Sequence, residues 1–278
     1  MISFDFDFYK PATIKEAVDL FNHFSSTGKN AMYYSGGTEF ISRARRNEIA
    51  VDVVIDLKGI PECCSVENEN DEIVIGSAVS LTKIAEEQIF PLLGDVCKEI
   101  ATRTERNKIT IGGNIASNLP YKEGLLALLV ADSDFLIASP EGIGRRNIHD
   151  VYDTELNLGQ GEFIVQVVTK KVKPKYPHFN FRRTTQSRVN YPVLSVASLL
   201  EEGKIRVAFS GLCTFPFRSL QMEKVLNDFD IPLKERINKI VHLVPSYVVD
   251  DLLATEKYRL FVLEKALEEI IDEAGVVS

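Results

Sequence analysis

Apolar residues recur at helical spacing near the start of the chain. From Ala17 to Phe24 they fall three or four positions apart, which is typical of an amphipathic helix that buries one face. Just before them, Thr13 and Glu16 have the spacing of a capping box, in which each side chain accepts a hydrogen bond from the backbone of the other end. The pattern therefore predicts a helix that begins at Thr13 and ends before Gly28.

Apolar runs on both sides of this helix predict buried strands. A short strand precedes the helix, and residues 31–34 and 51–57 form two further runs after it. Strands that are joined through a helix pair in parallel, because the chain crosses over between them. Residues 1–57 are therefore predicted to form a small α/β subdomain.

The rest of the chain predicts two further regions. Residues 58–173 are typical of an α+β subdomain, with strands near 73–75, 135–138 and 163–169 and helices near 83–87, 92–101 and 124–130. Residues 174–278 predict a C-terminal domain, with a hairpin of strands 193–200 and 205–211 and helices near 219–228, 233–243 and 255–274. The predicted fold class of the whole chain is α+β.

The composition excludes several kinds of partner. A content of 45% hydrophobic and 26% charged residues is that of an ordinary globular protein. The formal net charge of −8 argues against nucleic-acid binding, which needs a dense basic surface. No apolar stretch approaches the roughly 20 residues that span a bilayer, and the first residues lack the features of a signal peptide. We therefore expect a cytoplasmic protein with no nucleic-acid or membrane partner.

The cysteines and histidines predict no metal site. The four cysteines, at 63, 64, 97 and 213, have neither C-x-x-C spacing nor the four-thiolate run of an iron–sulfur cluster. The four histidines stand alone, without an H-E-x-x-H motif or an acidic partner at helical spacing. Any metal site is therefore expected to lie elsewhere than at these cysteines.

Two glycine pairs are the candidate binding residues. Ser35-Gly36-Gly37-Thr38 and Gly112-Gly113-Asn114 each follow a β-rich segment and carry hydroxyl or amide side chains. Paired glycines let backbone N–H groups approach an anion closely, which suits a pyrophosphate. Neither sequence has the Walker or the G-x-G-x-x-G pattern, and either one alone is more often a tight turn. Together, the two loops are predicted to grip one diphosphate.

The residues around these loops resemble the FAD-binding subunits of molybdenum hydroxylases, such as xanthine dehydrogenase and the medium subunit of carbon monoxide dehydrogenase. That family has A-G-G-T-[DE] and later R-N-x-x-T-I-G-G-N-[IL]-A, where this chain has Ser35 to Glu39 and Arg106 to Ala116. The resemblance implies a vanillyl-alcohol-oxidase (PCMH-type) fold, in which two subdomains bind FAD without a covalent link and a C-terminal α+β domain follows.

The resemblance also implies which residues contact the diphosphate of FAD. The first loop would wrap it mainly with backbone N–H groups, and the second would supply a further grip. The residues of the first loop are Tyr33, Tyr34, Ser35, Gly36, Gly37, Thr38, Glu39 and Phe40. Those of the second loop are Thr110, Gly112, Gly113 and Asn114.

Four further contacts are implied by the resemblance. Glu123 would bind the adenosine end, where the family usually has aspartate, and Ile100 would pack near the adenine. Ile164 and Arg182 would lie beside the isoalloxazine. Ordinary core packing is an equal alternative for the two isoleucines, and a surface position is an equal alternative for Arg182.

The resemblance implies an electron-transfer subunit of xanthine dehydrogenase type. The partners would be a large subunit with molybdopterin and a small subunit with [2Fe–2S] clusters, and the acceptor would be NAD or oxygen. The substrate, chosen on the large subunit, stays open. Two alternatives are also open: a free-standing flavin oxidase or reductase of the same fold, and a non-catalytic scaffold protein in which both glycine loops are turns.

Overall fold

The computed structural model describes residues 1–171, 177–185 and 190–275. The first part forms β1 (Asp7–Tyr9), α1 (Ile14–Ser26), β2 (Ala31–Tyr34), α2 (Thr38–Arg45), β3 (Val53–Asp56), a 3-10 turn (Leu57–Gly59), α3 (Pro61–Cys64), β4 (Val66–Glu69) and β5 (Glu72–Gly76). The middle part forms α4 (Leu81–Glu87), α5 (Pro91–Glu99), α6 (Arg103–Arg106), α7 (Ile111–Ile115), α8 (Gly124–Val130), β6 (Asp134–Ser139), β7 (Gly142–Asn147), α9 (Ile148–Val151) and β8 (Phe163–Lys170).

The last part completes the mixture of strands and helices. It forms β9 (His178–Arg183), β10 (Leu194–Glu201), β11 (Lys204–Ser210), β12 (Phe217–Arg218), α10 (Leu220–Leu226), α11 (Leu233–Val241) and α12 (Glu256–Ala274). The predicted α+β class is confirmed. No described helix is both long and apolar enough to cross a membrane.

The chain divides into two compact units that do not follow chain order. The first unit contains residues 1–89, 102–117 and 133–171, and the second contains residues 90–101, 118–132 and 172 onward. Two segments of the middle region thus belong with the C-terminal part. The division predicted from the sequence, into 1–57, 58–173 and 174–278, differs from this partition and stays a prediction.

The first unit begins with a parallel three-stranded sheet in the order β1-β3-β2. The central strand β3 is buried along its whole length, as its apolar run predicts. The hydroxyl of Thr13 accepts the N–H of Glu16 at 3.2 Å, and the carboxylate of Glu16 accepts the N–H of Ala12 at 2.8 Å. The predicted parallel pairing is confirmed, and the predicted cap forms with Ala12 as its second donor.

A five-stranded antiparallel sheet in the order β4-β5-β8-β6-β7 forms the rest of the first unit. Phe163 and Val165 on β8 are buried in one cluster with residues of α1 and β3. Ile164 lies between them on the strand and faces the opposite side, because neighbouring residues of a strand alternate. The short helix α7 lies beside β8.

In the second unit, helices cover an antiparallel sheet in the order β12-β11-β10-β9. The predicted hairpin is confirmed as β10 and β11, which pair from Ser195 with Ser210 to Glu201 with Lys204. Apolar residues of α10, α11 and α12 pack on this sheet in a single cluster. The three predicted C-terminal helices are therefore confirmed, and burial against one sheet is what holds them.

Candidate functional site

The first glycine loop, residues 35–38, joins β2 to α2 in the first unit. Gly37 is the N-cap residue of α2, with a φ of 73° and no side-chain cap hydrogen bond. This left-handed conformation favours glycine. The hydroxyl oxygen of Ser35 is buried and has no hydrogen-bond partner among the described residues. The N-terminus of α2 therefore retains capacity for an anionic group, which the positive end of a helix favours.

Tyr34 and Lys58 both contact this loop. A Cβ on Gly37 would lie 2.2 Å from the hydroxyl oxygen of Tyr34, so a larger residue there would displace the Tyr34 ring. The ammonium of Lys58 donates to the carbonyl of Ser35 at 2.5 Å and lies 4.5 Å from the centre of the Tyr34 ring. Burial, and secondly the charge of Asp56, raises the pKa of Tyr34. No sequence pattern indicated Lys58, because its contact joins it to a loop 23 positions earlier in the chain.

The second glycine pair lies in the five-residue helix α7, whereas the sequence favoured a glycine turn after a β-rich segment. Thr110 is the N-cap residue of this helix. The N–H groups of residues 111–114 all donate to partners inside the first unit. The first two donate to the carbonyls of Val79 (3.0 Å) and Ser77 (2.8 Å), in that order. The next two donate to the hydroxyl (3.2 Å) and the carbonyl (2.8 Å) of Thr110, in that order. The expectation that both loops offer backbone N–H groups is therefore wrong for the second loop. Its own cap and its neighbours already use them.

The two loops lie directly against each other. A Cβ on Gly36 would lie 2.0 Å from the carbonyl oxygen of Lys108 and 3.3 Å from the amide nitrogen of Thr110. The hydroxyl of Ser117, just after α7, donates to the carboxylate of Glu39 at 2.7 Å. The structure thus brings together two segments far apart in the sequence, as binding of one ligand by both requires.

Two aromatic side chains of the predicted site pack into the protein instead. The ring of Tyr33 lies 4.9 Å from that of Phe21, and its hydroxyl donates to the carbonyl of Gly161 at 2.9 Å. Burial raises the pKa of Tyr33 well above its usual range. Phe40 is buried and packs edge-on against Phe6. Phe40 therefore has only its backbone available for a ligand, whereas Tyr33 is half-buried, and the contact of both residues with FAD stays a prediction.

Glu123 and Arg182 form a buried ion pair in the second unit. The guanidinium of Arg182 donates to Glu123 Oε1 at 2.6 Å, and the hydroxyl of Ser195 lies 3.3 Å from the same oxygen. A second guanidinium nitrogen donates to the carbonyl of Asn190 at 2.7 Å. Burial raises the pKa of Glu123, and the charge of Arg182 opposes that rise.

This ion pair corrects one expectation. The alternative of a surface position for Arg182 is wrong, because its side chain is 6% exposed. The assignment of Glu123 to the adenosine end and of Arg182 to the isoalloxazine stays a prediction, although the two side chains are hydrogen-bonded to each other.

Ile100 and Ile164 are both buried, at 6% and 5% exposure. Ile100 directly follows α5 in the second unit, and Ile164 lies on β8 in the first. Burial agrees with the core packing that the sequence left open, and their contact with a cofactor stays a prediction. In the described part of the chain, no group of three or more metal-binding side chains is placed to hold a metal ion.

Comparisons with known proteins identify the family to which this sequence is similar. A family model described as the FAD binding domain in molybdopterin dehydrogenase matches residues 4–169. The chain is 26% identical over 155 residues to the nicotinate dehydrogenase FAD-subunit of Eubacterium barkeri, covering 54% of this chain and 52% of that protein. It is 27% identical over 146 residues to the carbon monoxide dehydrogenase medium chain of Hydrogenophaga pseudoflava, covering 51% and 50%. The match thus spans about half the length of these two relatives.

The fold as a whole matches a solved structure. A chain of carbon monoxide dehydrogenase from Hydrogenophaga pseudoflava, in a form that lacks the Mo-pyranopterin moiety, superposes with a TM-score of 0.88. The identity is 20%, and the match covers 99% of both chains. A likeness at this identity concerns the fold, and the predicted fold of an FAD-binding subunit is confirmed.

Proposed function

We propose that this chain, which belongs to the family of FAD-binding domains in molybdopterin dehydrogenases, is the flavin-carrying subunit of a molybdenum hydroxylase. FAD is the cofactor of this family. We further propose that the chain holds FAD without a covalent link. The names of the two relatives, an FAD-subunit and a medium chain, support the subunit role.

The first glycine loop is the observation that carries the proposal. Its N-cap glycine leaves the start of α2 without a side-chain cap, and the hydroxyl of Ser35 has no partner among the described residues. Both are groups that a diphosphate would satisfy. Thr110, Gly113 and Asn114 of the second loop are proposed to lie beside the diphosphate. Thr110 and Asn114 would contact it with their side chains, and Gly113 would allow its close approach because it has no side chain.

The proposed role in the assembly is electron transfer. FAD, when bound, supplies a centre that exchanges one or two electrons. The partners are proposed to be a [2Fe–2S] small subunit and a molybdopterin-binding large subunit, with NAD or oxygen as acceptor and a cytoplasmic location. Within the family, the xanthine dehydrogenase type is our proposal, and the substrate would be chosen on the large subunit.

A titration of the purified chain with flavins tests this proposal. We expect one FAD per chain, released on denaturation, and much weaker binding of riboflavin, which lacks the diphosphate that the loops are proposed to hold. A folded chain that takes up no FAD would favour the scaffold alternative. Oxidation of small alcohols by the isolated chain at an ordinary enzymatic rate would favour the free-standing oxidase.

A further inference from the structure

We infer that Lys58 is a positioning residue for the first glycine loop, acting through the peptide bond between Ser35 and Gly36. This inference rests on the proposed FAD-binding function of the loop. It assigns to Lys58 a role in FAD affinity, although its ammonium is engaged by the protein itself.

Three groups of the first unit surround the ammonium of Lys58. Its nitrogen donates to the carbonyl of Ser35 at 2.5 Å and to Asp56 Oδ1 at 2.6 Å, and it faces the ring of Tyr34. The same Asp56 oxygen also accepts the backbone N–H of Lys58 at 3.1 Å. Asp56 ends the buried central strand β3 and is 4% exposed. Lys58 therefore links the loop to the most deeply buried strand of its sheet.

This link determines the direction of the Gly36 N–H. In a trans peptide, the carbonyl and the N–H point in opposite directions. Because the Ser35 carbonyl is held toward Lys58, the N–H of Gly36 points away from Lys58. Gly36 also lies so near the Lys108 carbonyl that an added Cβ would be 2.0 Å from its oxygen, so this part of the loop has little room to shift toward Lys108. The loop is thus held in one orientation before any ligand binds.

Lys58 is not placed to serve as a direct phosphate ligand. An ammonium has three N–H donors. Two are directed to the oxygens of Ser35 and Asp56, and the ring of Tyr34 covers a further side. A contribution through the orientation of the loop is a hydrogen-bonding effect inside the protein, so added salt will screen it little.

Lys83 offers a matched control in the same unit. Its side chain is 45% exposed, close to the 39% of Lys58, and it pairs with Glu87 on α4 at 3.7 Å. Lys58→Met and Lys83→Met remove the same charge from the chain. Only the first removes the hydrogen bond to the loop.

The test uses the full chain, stripped of flavin and titrated with FAD at low and high salt. We expect Lys58→Met to raise the Kd for FAD roughly tenfold to hundredfold, the usual effect of losing a charge-assisted hydrogen bond. The ratio to wild type should be the same at both salt concentrations. Hydrogen exchange of residues 34–40 in the flavin-free protein should be faster in Lys58→Met, and Lys83→Met should match wild type in both measurements.

The outcomes separate this inference from the proposed function. Wild-type protein that binds no FAD refutes the proposed function. Wild-type affinity and exchange in Lys58→Met overturn the inference alone, and so does a ratio that falls toward one at high salt, which indicates direct phosphate contact. If Lys58→Met does not fold, Lys58→Arg replaces it. That variant keeps the ion pair with Asp56 and should show smaller changes in the same directions, whereas wild-type values for both would overturn the inference.

Discussion

The two glycine loops contain the same Gly-Gly pair, but the glycines serve different physical purposes. In the first loop, Gly37 takes a left-handed conformation and, having no side chain, leaves the start of α2 without a side-chain cap. In the second, the pair lies inside α7, which Thr110 caps, and the backbone N–H groups are all used within the protein. The first loop is therefore the one with unused hydrogen-bonding capacity, and the second packs directly against it.

The largest expected effect is from Gly36→Ala. Its Cβ would lie 2.0 Å from the backbone oxygen of Lys108, a contact that no side-chain rotation relieves. We expect the free energy of unfolding to fall by about 3 kcal/mol, the upper end of ordinary overpacking, and FAD binding to be lost. Urea denaturation and FAD titration measure the two effects.

Gly144→Ala is the control for this variant. Gly144 lies on the exposed strand β7, and a Cβ there would meet nothing within 4 Å. Its substitution should change stability by less than about 0.5 kcal/mol. Equal stability of the two variants would mean that the loops are not packed against each other as described.

A charge on the second loop should have the next largest effect. Gly113→Asp places a carboxylate beside the proposed diphosphate, and a Cβ there would meet the Thr110 hydroxyl at 3.0 Å. Repulsion at several ångströms costs about 2 kcal/mol at the effective dielectric near a protein surface, so the Kd for FAD should rise about thirtyfold. Gly113→Asn has the same size without the charge and should lose much less. Equal FAD affinity of the two variants would refute the placement of the diphosphate at this loop.

The smallest effect is expected from Ser35→Ala. The buried hydroxyl has no partner among the described residues, so its removal should raise or preserve the stability of the flavin-free chain. FAD affinity should fall by about 1 kcal/mol, or about fivefold, if the ligand satisfies this hydroxyl. Thermal unfolding and FAD titration test both parts.

A buried serine with a partner provides the contrast. The Ser133 hydroxyl is hydrogen-bonded to that of Thr169 at 2.7 Å, so Ser133→Ala should destabilise the flavin-free chain by about 1 kcal/mol. If Ser35→Ala destabilises it to the same extent, the Ser35 hydroxyl is satisfied without a ligand, and the capacity of the first loop is smaller than proposed.

Strong apolar patterns made much of the fold predictable. The helix α1, the strand β3 and the hairpin of β10 and β11 each bury a regular set of apolar residues. The strand β7 was not predicted, because most of it is exposed and two glycines interrupt it. An edge strand of this kind is held by pairing with β6, and its own residues carry little periodic signal.

The sequence by itself determined the α+β class, the parallel start of the chain and the two glycine segments, because these depend on local periodicity and on residue types that recur in one family. Tertiary structure alone decided how those segments work. The carbonyls of Ser77 and Val79 accept two of the N–H groups of α7, and Lys58 orients the first loop. Glu123 pairs with Arg182 across 59 positions of sequence. Such contacts join residues distant along the chain, and only the folded chain brings them within hydrogen-bonding distance.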